Sequence, residues 1–149
     1  MSQGRTRRGV LVALAGVALA IGSHGVSVAA QETGTLKVTV DYKGAGTVDK
    51  THQLFVWVFD TPDINENSVP IATDQATAND ATISFSGLPK TVYLAAAFNE
   101  KGTYDGSQGP PPSGTPVTIY GGAGSATAIA TGGEEAKVTV SFDDSMRMP

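Results

Sequence analysis

Thr35–Tyr42 reads TLKVTVDY, and its alternation is unbroken: Leu36, Val38, Val40 and Tyr42 fall on one side, Thr35, Lys37, Thr39 and Asp41 on the other. A period of two is the pleat of a β-strand, so the segment presents one apolar face to a core and one wet face to solvent. His52–Asp60 (HQLFVWVFD) differs, because both of its faces are apolar: Leu54, Val56 and Val58 oppose Phe55, Trp57 and Phe59. A strand so rich in β-branched and aromatic residues belongs at the centre of a sheet, covered on both sides.

The rest of the chain repeats the theme. Val69–Ala76 is a weaker strand opened by Pro70, which suits an edge. Asn79-Asp80 turns the chain into Ala81–Ser86, with Ile83 and Phe85 inward, and Gly87-Leu88-Pro89 turns it again into Thr91–Phe98, with Val92, Leu94, Ala96 and Phe98 inward. After a long Gly/Pro stretch, Asn99–Thr115, come Pro116–Tyr120, Ala126–Thr131 and Lys137–Phe142, the last with Val138, Val140 and Phe142 inward. Seven or eight strands at spacings of about ten residues, with no helical periodicity after Ala30, predict an all-β fold. The expected architecture is an antiparallel β-sandwich, as in Ig-like domains.

Met1–Ala30 has the three parts of an export signal: a basic start (Arg5, Arg7, Arg8), an uncharged run Gly9–Ile21, and small residues with Val28 and Ala30 set for a cut before Gln31. Thirteen apolar residues are too few for a membrane span, which needs roughly 20. The Arg7-Arg8 pair resembles the twin-arginine motif, although the general export route is the stronger expectation. The predicted organisation is therefore a cleaved signal over residues 1–30 and one sandwich domain over 31–149, periplasmic or extracellular, with no membrane association after cleavage.

The 149-residue chain has a formal charge of −4, and removing the signal takes three of ten basic residues and none of fourteen acidic ones. Seven basic against fourteen acidic residues leave −7, which repels phosphate backbones and makes nucleic acid a poor partner. No cysteine is present, so stability rests on burial and hydrogen bonds.

Ile83–Leu94 reads ISFSGLPKTVYL. It resembles the F-x-x-L-P-x-G-x-Y segment of carboxypeptidase-regulatory-like domains, which have a transthyretin-like (prealbumin-like) sandwich. Phe85, Leu88, Pro89 and Tyr93 occupy the matching places, with Thr91 where glycine is usual. Phe55–Asp60 resembles the strand these modules place before an Asp/Pro loop, and Ala96–Asp105 with Gly114–Gly121 resembles a shortened form of their later loop and strand. The resemblance implies an accessory or ligand-binding role without catalysis.

Calcium takes several oxygen ligands from a loop that can wrap it. Asn99, Glu100 and Asp105 lie in one loop with Gly102 to bend it, although Lys101 opposes a cation, so a solvated turn is the simpler reading. A second oxygen-rich loop holds Asp60, Asp63, Asn65, Glu66 and Asn67. Counting strands alternately up and down puts the two loops at opposite ends. The Pro-rich stretch Gly109–Pro116, with Tyr104 and Tyr120 near it, is either a recognition surface or a stiff crossing between sheets. Asp60, Asp63, Tyr104 and Tyr120 are the candidate ligand contacts, and a protein or a carbohydrate is the expected partner of a monomer.

Enzyme chemistry has little to work with. His52 is the one histidine after the signal, which leaves no assignable Ser/His/Asp set, thiol nucleophile or His-rich metal cluster. Hydroxyisourate hydrolases share the transthyretin-like fold but rest on several histidines and a C-terminal Tyr-Arg-Gly-Ser signature, where this chain has Ser145-Met146-Arg147-Met148-Pro149. Glu134-Glu135 and Asp143-Asp144 are adjacent pairs whose members point to opposite faces in extended backbone. A hydrolase with an unrecognised carboxylate site, and an assembly component pairing through an edge strand, are the alternatives.

Overall fold

The computed structural model describes residues 34–149. The export signal and the cut before Gln31 lie outside the described residues. The elements, all strands, are β1 (Gly34–Tyr42), β2 (Leu54–Phe59), β3 (Ala72–Ala76), β4 (Thr82–Leu88), β5 (Thr91–Phe98), β6 (Val117–Ile119), β7 (Ile129–Ala130) and β8 (Ala136–Phe142). They form two packed sheets, one ordered β4-β1-β8 and the other β3-β2-β5-β6, with β7 also pairing β5. The chain is an all-β sandwich.

The alternation read in β1 decides how the sheets face each other. Leu36, Val38, Val40 and Tyr42 are buried, while the residues between them are half-exposed. They meet Leu54, Val56 and Val58 of β2 and Val92, Leu94, Ala96 and Phe98 of β5 in one continuous core, closed by Ile83, Phe85, Val140 and Phe142. Tyr42 stacks on Phe98 with ring centroids 4.3 Å apart and tilts against Phe142 at 5.2 Å. Gly46 lies against the Phe98 ring so closely that a methyl group there would collide with it. Phe98 is fully buried and has no room to swing aside, so only glycine fits.

Every residue of β2 is buried, as its two apolar faces demand. The second face carries Phe55, Trp57 and Phe59, and Tyr104 from the chain after β5 packs onto it. This outer aromatic layer makes the β2–β5 sheet covered on both sides.

The pairing departs from the antiparallel expectation at one place. β1 and β8 run parallel, from Leu36 beside Ala136 to Tyr42 beside Phe142. β8 enters this sheet by crossing over from β7 in the other sheet, and such a crossover can deliver a strand in either direction, whereas a tight hairpin delivers only an antiparallel one. Beyond β8 the chain crosses back: Pro116 and Arg147 form an antiparallel bridge, and Val117 N donates to Met146 O at 3.0 Å. The C-terminal residues thereby strap one sheet to the edge of the other.

Candidate functional site

The oxygen-rich loop after β5 is turned inward. Asn99 is buried, and its amide group donates to Tyr104 O at 2.8 Å while accepting from Tyr104 N at 3.2 Å. This two-way bond closes a ring of six residues and fixes the backbone that carries Tyr104. Tyr104 is buried, meets Phe55 edge-on at 5.0 Å, and donates its hydroxyl to Gly109 O at 2.5 Å. A ring held this way is a plug for the aromatic layer and has no free face for a ligand.

Glu100 and Asp105 have other partners. Glu100 accepts from the Arg147 guanidinium at 2.8 Å. Asp105 accepts from the Ser107 hydroxyl at 2.6 Å and from Ser107 N at 2.9 Å, and these bonds hold its carboxyl below the usual carboxylate range. Asn99, Glu100 and Asp105 therefore face three different partners. Among the described residues no group of three or more His, Cys, Asp or Glu is placed to hold a metal ion. Millimolar calcium is expected to leave the melting temperature of the wild type unchanged; a rise that Asp105→Ala abolishes would contradict this arrangement.

Asp60 and Asp63 lie elsewhere, on the loop after β2. β2 and β5 are antiparallel, with Leu54 beside Phe98 and Phe59 beside Tyr93, so the loops leaving the C-terminal ends of these strands emerge at opposite ends of the sheet. Both side chains are exposed, and Asp63 O accepts from Ser68 Oγ at 2.9 Å in a self-contained turn. Ile64 of this loop packs against the outer aromatic layer. Tyr120 is half-buried against the main core, and its backbone pairs with Leu94 O and with Thr127 N. Asp60 and Asp63 thus stay together on an exposed loop, while Tyr104 packs into the outer aromatic layer and Tyr120 against the main core.

Compared with known protein families and with curated proteins, the chain matches none.

Two features escaped the residue-by-residue reading. The first is a polar latch where the strap leaves β8. Tyr42 donates its hydroxyl to the Asp144 carboxylate, whose other oxygen accepts from Ala45 N at 3.0 Å. Arg147 reaches from the strap to Glu100 and donates to Gly114 O at 2.6 Å. Burial, then the hydrogen bond to Asp144, pushes the Tyr42 hydroxyl well above its ordinary value of 10.0. The same bond, with that from Ala45, holds Asp144 below its ordinary 3.8.

Linkage gives each partner a different pH limb. Tyr42, raised on folding, contributes stability that is complete below about pH 10 and lost as pH rises toward its folded value. Asp144, depressed on folding, contributes stability that is complete above about pH 4 and lost on acidification. Tyr104 is raised too, by burial first, and adds to the alkaline limb. In urea melts from pH 8 to 11, Tyr42→Phe is expected to flatten the alkaline fall without removing it. An unchanged slope would show that Tyr42 ionises as freely folded as unfolded.

The second feature is the outer face of the β4-β1-β8 sheet. Lys37, Thr39, Thr82, Ser84, Lys137 and Thr139 line a shallow trough of about 650 Å³ there. Registers explain the gathering: Lys37 pairs with Ser84 on one side and Lys137 on the other, and Thr39 with Thr82 and Thr139. The alternation marked Lys37 and Thr39 as outward, but the neighbour of β1 lies 100 positions downstream, in a parallel pairing that no local pattern announces.

Proposed function

We propose that this chain is an exported, non-catalytic binding module that works through the outer face of its three-stranded sheet. The observation that carries the reading is the open trough on that face, lined by ammonium and hydroxyl groups in register across three strands. In the loop after β5, by contrast, Tyr104 joins the aromatic layer, Glu100 an ion pair and Asp105 a turn of the fold itself. The resemblance to carboxypeptidase-regulatory-like modules points the same way, and the signal-like residues 1–30 support export to the periplasm or outside the cell.

Five carboxylates are poorly suited to act as general acids. Asp41, Asp49, Asp105, Asp143 and Asp144 are each pulled below their ordinary value, by hydrogen bonds from Ser141, His52, Ser107, Ser145 and Tyr42 respectively. General-acid catalysis near neutrality needs a carboxyl moved upward.

Assembly through an edge strand has one observation in its favour. Val69 and Ile71, 80% and 44% exposed, stand just before edge strand β3. Asp74, however, pairs with inward-facing Val56 and puts a charge on the inner rim of that edge, which discourages a further strand. Binding through the sheet face is the better supported reading.

The test is retention of the purified protein on cell-envelope material from the producing cells. Thr39→Trp, which fills the trough, is expected to abolish retention, while Asp60→Ala with Asp63→Ala leaves it intact. Retention indifferent to Thr39→Trp would contradict the reading.

A further inference from the structure

We propose that the trough on the β4-β1-β8 face takes an anionic glycan, a chain of sugars bearing carboxylates. This rests on the reading of that face as the binding surface. Lys37 and Lys137 are direct neighbours across β1 and β8. Like charges placed opposite each other in a sheet repel, so the pair needs a counter-charge. One carboxylate serves both: Glu135 lies 3.3 Å from Lys37 Nζ and 3.9 Å from Lys137 Nζ. Two ammonium groups sharing one carboxylate leave a surplus positive charge on a chain that is otherwise acidic.

The other acid on this face does not cancel the surplus. Asp41 accepts from the Ser141 hydroxyl at 2.9 Å and pairs with Lys43 at 3.2 Å. Between the lysines and Asp41 runs the row Thr82, Thr39, Thr139, with the hydroxyls of Thr39 and Thr82 3.0 Å apart. Hydroxyls both donate and accept, which is what a sugar's own hydroxyls require of a partner. A carboxylate between the lysines and sugar hydroxyls along the threonine row would use the face in full.

Other partners match it less well. Protein interfaces are anchored by buried aromatic or apolar side chains, and the exposed large apolar residues, Val69 and Ile71, belong to the other sheet's edge. Nucleic acid carries one phosphate per roughly 1.7 Å of duplex, a charge density that meets the surrounding acidic surface. A glycan with one carboxylate per sugar is sparser. Screening beyond about 8 Å at physiological ionic strength lets a local lysine pair act on it despite the net charge.

The experiment measures binding of the purified protein to an oligogalacturonate and to a neutral oligoglucan of equal length by titration calorimetry. The wild type is expected to bind the uronate oligomer and not the glucan. Lys37→Gln with Lys137→Gln is expected to weaken binding about tenfold or more with an unchanged melting temperature, and added salt to weaken the wild type in parallel. Equal binding of the two oligomers, lost in Thr39→Trp, would overturn the anionic specificity while leaving the face as the binding surface. Uronate binding untouched by the double lysine change would overturn the proposal, and so would no binding of the uronate oligomer by the wild type.

Discussion

Replacing Tyr104 by alanine is expected to destabilise the protein by about 3 kcal/mol, the usual cost of removing a buried aromatic ring. At this chain length that is a fall in melting temperature of about 10 °C. Three effects combine. The ring is buried and meets Phe55 edge-on at 5.0 Å, and its centroid lies 6.3 Å from that of Trp57. Its hydroxyl ties the Gly109 carbonyl to the fold. Its removal also uncovers Phe55 and Trp57, whose parallel rings sit 6.0 Å apart on the sheet face. Tyr104→Phe separates the terms: it keeps the ring, loses only the hydroxyl, and is expected to cost about 1 kcal/mol. Equal effects of the two changes would mean that the hydroxyl, and not the packing, fixes the loop.

Deleting residues 144–149 is expected to cost a similar amount, about 3 kcal/mol, read as a lower urea midpoint. The deletion takes the Asp144 acceptor from the buried Tyr42 hydroxyl and the Arg147 partner from Glu100. It also removes the backbone pairing of Met146 and Met148 with residues 114, 115 and 117. Deleting only 146–149 keeps Asp144 on Tyr42 and is expected to cost roughly half as much. A truncated chain as stable as the full one would show that the strap adds nothing to the closure of the two sheets.

The sandwich was legible because its strands alternate. β1, β4 and β5 bury the residues their period of two assigns inward, β8 buries Val140 and Phe142 and half-buries Val138, and the double-faced β2 lies inside its sheet. The opposite placement of the two polar loops followed from counting strand directions, and the β2–β5 register agrees with it. The fates of individual loop side chains were not legible. Asn99, Glu100 and Asp105 look like oxygen ligands in a row, yet their partners are Tyr104, Arg147 and Ser107. Of these, only Ser107 and Tyr104 are near in sequence. Tyr104 read as a candidate ligand contact beside the Pro-rich stretch, whereas the apolar outward face of β2 was waiting for a cover. That face was the available signal: Phe55, Trp57 and Phe59 had to be buried by something, and the long connection is what buries them. The donor-lined face of the other sheet depends on β1 meeting β8, a pairing set by the crossover between sheets and not by any local motif.

The chain after β5 is a packed layer of the fold, with Tyr104 laid over Phe55 and Trp57. Amide hydrogen exchange of the unliganded protein tests this most directly, at Tyr104 N, which donates to the buried Asn99 side chain. The account predicts that this amide exchanges only on the slow timescale of the β2 and β5 amides. Exchange of Tyr104 as fast as that of an open surface turn would contradict it.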